Sequence, residues 1–213
     1  MLGRPQIAGQ MCAWIVPSGR LAMALALCCF GLSGCDGGDG FALSVQPFYT
    51  QSDLFDDAEL ASSWTDKEDD VTFIFEQGED KEYKLTVKEK DGEHESSAEF
   101  EAHLLTLGAR QFLDFRPRSN SEGSFFYLLH LVPAHSLARV ELSHDALRLR
   151  FFDSAWLSKQ IEDKNIDVSC QTTSGAVLLT GTTDEVQNLI LLHPEEEKMF
   201  AEVIVLTRRG EEQ

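Results

Sequence analysis

Positive charge is scarce in this chain. Eighteen Lys and Arg stand against 36 Asp and Glu in 213 residues, a formal net charge of −18. Such a surface repels a phosphate backbone, which excludes nucleic acid as a partner. The acid serves solubility. Signatures of chemistry are lacking too. No Gly-x-Ser-x-Gly elbow, His-Glu-x-x-His pair, phosphate loop or Gly-x-Gly-x-x-Gly turn occurs, so no nucleophile, zinc pair or nucleotide cradle can be named. No Cys-x-x-Cys exists, which removes thioredoxin-like redox work. Asp66-Lys67-Glu68-Asp69-Asp70 lacks the alternating ligands and central glycine of a calcium loop. The six histidines (His94, His103, His130, His135, His144 and His193) show only pairs in sequence, where zinc needs three or four converging ligands. The expectation is a domain without catalysis, metal or cofactor.

Long apolar runs are also missing. The longest candidate, Leu21 to Gly34, is shorter than the roughly 20 residues that cross hydrocarbon. It follows Arg20 and ends on small residues, the pattern of a secretory signal. Leu32-Ser33-Gly34-Cys35 then resembles the lipobox of bacterial lipoproteins. That resemblance implies a diacylglyceryl group on the Cys35 sulfur, cleavage between Gly34 and Cys35, and acylation of the new amino terminus. Asp36 directly after the cysteine resembles the inner-membrane retention signal of enteric bacteria, and leaves the outer membrane open. The expected address is the periplasmic side of the cell envelope. Whether Met1 or Met11 is the start stays open. Loss of residues 1–34 removes Arg4 and Arg20 but no acid, so −18 becomes −20.

Three of the five cysteines, Cys12, Cys28 and Cys29, lie in this leader. With Cys35 acylated, Cys170 has no intramolecular partner, and the fold must be held by its core. Residues 35–47, with Gly37, Gly38, Gly40 and Pro47, read as a flexible tether, and 48–213 as one domain.

The body alternates with period two. Val71/Phe73/Phe75, Tyr83/Leu85/Val87 and Ala98/Phe100/Ala102/Leu104 mark strands, with Asp91-Gly92 and Gly108 as turns. Further strands are expected at Gln111–Phe115, Leu137–Leu142, Ala146–Phe152 and Ala176–Thr180, and around Cys170. Phe125–Val132 is open between buried strand and short helix. Residues 203–207 are open between a closing strand and a helix begun at Glu195. Asp153 is a candidate N-cap for a helix carrying Trp156, Leu157 and Ile161. Thr182 and Glu185 have capping-box spacing before a helix that Pro194 stops. The fold expected is α+β, mainly β: an antiparallel meander closing into a small barrel or strongly curved sheet, covered by two late helices.

Leu60-Ala61-Ser62-Ser63-Trp64 is weakly similar to the Gly-x-Trp of lipocalin-like (calycin) barrels, with Ser62 in place of the glycine. The resemblance implies that Trp64 closes a barrel floor. Trp64, Phe112-Leu113-Asp114 and Phe152–Leu157 also resemble small bacterial lipoproteins without assigned activity. Two non-catalytic functions follow. One is binding of a small apolar or amphipathic ligand, and the other is a protein-binding face offered to an envelope complex. Acid dominates residues 51–101, and six Arg fall within 110–150. The two regions either attract one another in the fold or form an anion-tolerant face.

Overall fold

The structure, a computed structural model, describes residues 40–68, 70–118, 133–173, 176–193 and 196–210. Among the described residues eleven strands form one sheet. Eight of them close a barrel: β2 (Ser63–Thr65), β3 (Val71–Gln77), β4 (Glu82–Asp91), β5 (His94–Leu107), β6 (Arg110–Pro117), β7 (His135–Leu142), β8 (Ala146–Phe151) and β11 (Ile204–Arg208). Every pairing around the ring is antiparallel, and the last strand closes onto the first through Thr207↔Thr65 and Arg208↔Trp64. Closure removes the free edges that a meander would otherwise present.

The turns follow from local chemistry. Gly92 and Gly108 sit at φ near +62° and +61°, each opening a two-residue loop between paired strand ends, Asp91↔His94 and Leu107↔Arg110. That left-handed position carries no steric cost for glycine. Inside the barrel, alternate residues of β3, β4, β6, β7 and β8 bury Phe73, Phe75, Tyr83, Leu85, Leu113, Val140 and Leu149.

A second layer covers the outside of β5, β6 and β7. It contains β1 (Leu43–Ser44), β9 (Cys170–Thr173) and β10 (Ala176–Leu179), with helices α1 (Ser154–Glu162) and α2 (Thr183–Leu192) and a 3₁₀ turn at Glu197–Met199. Strand β1 joins this annex to the barrel, antiparallel to β7 and parallel to β10. Its core is separate from the barrel's and includes Phe48, Leu105, Phe112, Leu137, Phe152 and Leu157. The caps form as expected. Asp153 accepts from Trp156 N at 2.8 Å, and Thr182 and Glu185 make the reciprocal capping box.

Three expectations change, and one left open is decided. Residues 41–47 are part of the fold: Ala42 and Ser44 are fully buried, and Ala42 N donates to Phe152 O at 2.9 Å. Only residues 36–39 remain between Cys35 and the described body. Ser63–Thr65, which lies ahead of the strands that periodicity marks, is itself a barrel strand. The strand expected from Ala98 starts at His94, because β4 pairs with it down to the turn. The closing segment is a strand preceded by one 3₁₀ turn. Phe125–Val132 lies outside the described residues, as do Gly34 and Cys35.

Candidate functional site

Three places in the fold could serve as a site. The first is the barrel interior, where an apolar ligand would sit. Trp64, Tyr83, Phe73 and Leu85 are each at most 2% exposed there. Phe75 meets the Tyr83 ring edge-on at 6.5 Å. Tyr83 exchanges hydrogen bonds with the Asp57 backbone at 2.8 and 3.0 Å, and burial raises its phenol pKa. Two cavities among the described residues hold about 90 and 110 Å³. Both lie outside the barrel, and both are far below the roughly 300–1,000 Å³ of small-molecule pockets.

Trp64 on β2 is fully buried. Its indole N–H donates to Leu60 O at 3.0 Å, and the Arg208 guanidinium stands 4.6 Å from the ring centroid. Arg208 also donates to Glu59 O, to Glu59 Oε2 and to His144 O at 2.9, 2.7 and 2.6 Å. One guanidinium therefore ties β11, the approach to β2 and the β7–β8 turn together.

The second place is a polar cluster between barrel and annex. Asp114 on β6 faces outward yet is fully buried, because the annex lies over it. Its Oδ2 accepts Phe48 N at 3.0 Å, and its Oδ1 meets His135 Nδ1 at 2.7 Å. A buried carboxylate needs such partners. Tyr49 lies against His103, ring centroids 4.7 Å apart. Burial, then the Asp114 charge, pushes the Tyr49 phenol up to about 12. Burial lowers the pKa of His103, against the opposing pull of Asp114. An Asp–His pair can orient an imidazole for base catalysis. Among the described residues, however, no Ser, Thr or Cys side chain is hydrogen-bonded to His135. What the pair does hold is the segment after β1. Phe48 O and Asp53 Oδ2 accept from Gln187 Nε2, and Pro47 O accepts from Thr183 Oγ1, each at 2.9 Å.

The third place is a notch of about 90 Å³ between the β5–β6 turn, the end of α2 and the 3₁₀ turn. Leu107, Phe112, Ile190, Met199 and Phe200 make it apolar, and Arg110 and His193 lie at it. Beside it Glu197 gathers arginines. Arg139 donates to its Oε1 at 2.9 Å, Arg150 bonds its Oε2, and Arg110 approaches at 3.9 Å. Hydrogen bonds from Arg139 and then Arg150 hold the Glu197 carboxyl below its usual pKa.

No family model, curated protein or solved structure matches this chain.

The other expected residues scatter. Cys170 is a half-buried free thiol on β9. His144 pairs with Glu59 at 3.2 Å on the surface, and His193 caps α2 with Trp156 edge-on at 6.1 Å. His94 is exposed at the β4–β5 turn, and His130 lies outside the described residues. Among the described residues no three His, Cys, Asp or Glu converge on a metal position. The acidic and basic regions do meet in part: Arg116 reaches Glu101 at 3.0 Å, and Arg118 bonds Glu82. Asp114 went unnoticed as a site residue. One sequence signal for it is a lone acid in the apolar run Phe112–Phe115.

Proposed function

We propose that the protein is a lipid-anchored cell-envelope lipoprotein whose folded domain is a non-catalytic scaffold, working through its outer surface on an envelope partner. The observation that carries the scaffold half is the filled barrel: seventeen buried residues occupy the interior. A carrier of apolar molecules needs a cavity there, and the two cavities described among these residues lie outside the barrel. The anchor half is supported by position. Leu32-Ser33-Gly34-Cys35 resembles a lipobox, and the described body begins at Gly40, five residues beyond Cys35. An anchor placed at Cys35 would hold the domain against the periplasmic face, and Asp36 inclines it to the inner membrane.

Radiolabelled palmitate in the source bacterium tests this. Wild type is expected to incorporate label and Cys35→Ala to lose it while staying folded. Equal labelling of the two, or none in either, rejects the anchor. Native mass spectrometry is expected to find the acylated chain without further ligand. A stoichiometric small molecule retained by the barrel would reject the scaffold and restore the ligand-binding reading.

A further inference from the structure

Closure of the barrel leaves one open edge. Among the described residues every strand of the sheet has at least two neighbours except β9, which pairs with β10 alone. The hydrogen-bond parity of that pair shows which groups are free. Thr180 N donates to Ser169 O at 2.8 Å, and the register runs on through Cys170↔Leu179, Gln171↔Leu178 and Thr172↔Val177. Bonded and non-bonded pairs alternate in an antiparallel ladder. Ser169 and Gln171 therefore turn their backbone groups to β10, and Cys170 and Thr172 turn theirs outward. The far side of β10 agrees. Val177 N donates to Ser154 Oγ at 2.8 Å and Leu179 O accepts from Val45 N at 3.0 Å, both away from β9. The edge is also unguarded. Natural sheets blunt such an edge with charge, proline, a bulge or cover. Residues 168–183 contain no charged side chain and no proline, in a chain that is 25% charged. Ser169, Gln171 and Thr172 are exposed.

We propose that β9 is a self-association edge, on which a second copy of this chain pairs antiparallel about a two-fold axis at Gln171. In that register Cys170 lies opposite Thr172 of the second copy, and Thr172 opposite its Cys170. The outward N–H and C=O groups of both residues are then satisfied. A slip of one residue would set outward groups against groups already turned inward. Charge favours a second copy here. A two-fold contact brings each residue near its own counterpart, so in a chain at −18 an acid-rich surface repels itself. The uncharged β9 edge escapes that cost. The β4–β5 turn, with Asp91, Glu93 and Glu95 exposed, does not. A four-residue edge buries little area, so the dimer is weak and concentration-dependent. Nothing in the pairing involves Cys35, and the inference stands apart from the lipid anchor.

Disulfide trapping tests this on the full chain purified in detergent from its source bacterium. Gln171 and its counterpart across the axis form a non-hydrogen-bonded pair, with Cα atoms about 4.5 Å apart, within the range that a disulfide spans. Gln171→Cys is made together with Cys170→Ser. Cys170→Ser alone keeps the cysteines before residue 40 and sets the blank. Under copper–phenanthroline oxidation, Gln171→Cys is expected to give a band of twice the chain mass at least about threefold above the blank and above Glu79→Cys, an exposed loop control. Thr172→Pro removes one outward N–H and leaves the bonds to β10 in place, so it is expected to abolish the band. Thr172→Lys keeps the backbone donor and sets two like charges diagonally across the axis, and it is expected to lower the band to the level of the control. No excess over Glu79→Cys overturns the proposal, and so does an excess that survives both Thr172 variants. A crosslink to a protein of another mass also overturns it, and gives the edge to a strand from a different partner.

Discussion

Asp114→Ala removes the acceptor on which two buried donors depend. Asp114 is fully buried and His135 nearly so. The carboxylate takes Phe48 N–H at 3.0 Å and His135 Nδ1 at 2.7 Å. Alanine leaves both groups buried without that partner. A hydrogen bond to a charged acceptor contributes about 1.5–3 kcal/mol, and breaking a buried pair by deleting one side costs about 3–5 kcal/mol. The expected loss is therefore about 4 kcal/mol, or roughly 8–16 °C in Tm for a domain of this size. Asp114→Asn keeps one acceptor and is expected to lose about half as much. Equilibrium urea unfolding measures both. Amide exchange locates the effect: Phe48 should lose protection well before Leu85, which sits in the barrel core. An Asp114→Ala variant that loses under about 1 kcal/mol, or that leaves Phe48 as protected as before, refutes the claim that this pair fastens the annex.

Arg208→Ala removes the cation over Trp64 together with donors to Glu59 and His144. About 1–3 kcal/mol should be lost in urea unfolding, while Arg208→Lys, without the planar fork, should recover less than half of it. Tyr49 gives a pH signature. Its phenol is raised from 10 to about 12, so between those values the folded state holds a proton that the unfolded state has released. Stability then falls as pH rises through that window, by about 1 kcal/mol once solvent screening of this half-exposed ring is allowed for. Tyr49→Phe should flatten the slope, and an unchanged slope argues against burial as the cause.

The barrel was legible where one face meets solvent. In β3 and β4, Phe73, Phe75, Tyr83, Leu85 and Val87 are buried, while Lys88 and Glu76 are exposed. Period two survives in sequence under those conditions. Both helices announced themselves through their caps, because Asp153, Thr182 and Glu185 act on backbone groups within three residues. Nothing local marks Ser63–Thr65 as a strand. Its three residues are strand only because β3 and β11 flank them. The stretch Ala42–Ser44 was equally silent. Its glycine-rich approach resembles a tether, and its burial comes from partners some 90 to 135 residues away on β7 and β10.

The site was least legible for a reason the sequence does contain. On β5, β6 and β7 the alternation fails: Leu104-Leu105, Phe112-Leu113 and Leu137-Ala138 are neighbours that are all buried. Successive residues of a strand point to opposite faces, so such doublets require cover on both sides. Three consecutive strands with doublets at adjoining register, Leu105↔Phe112 and Leu113↔Ala138, trace the footprint of the annex across the barrel wall. Asp114 falls inside that footprint, and a carboxylate there has to be paired. Apolar doublets in β5 to β7 against the clean alternation of β4 therefore distinguish the covered wall from the bare one. The same reasoning turns the lone acid of Phe112-Leu113-Asp114-Phe115 from a surface residue into the fastening point between the two cores.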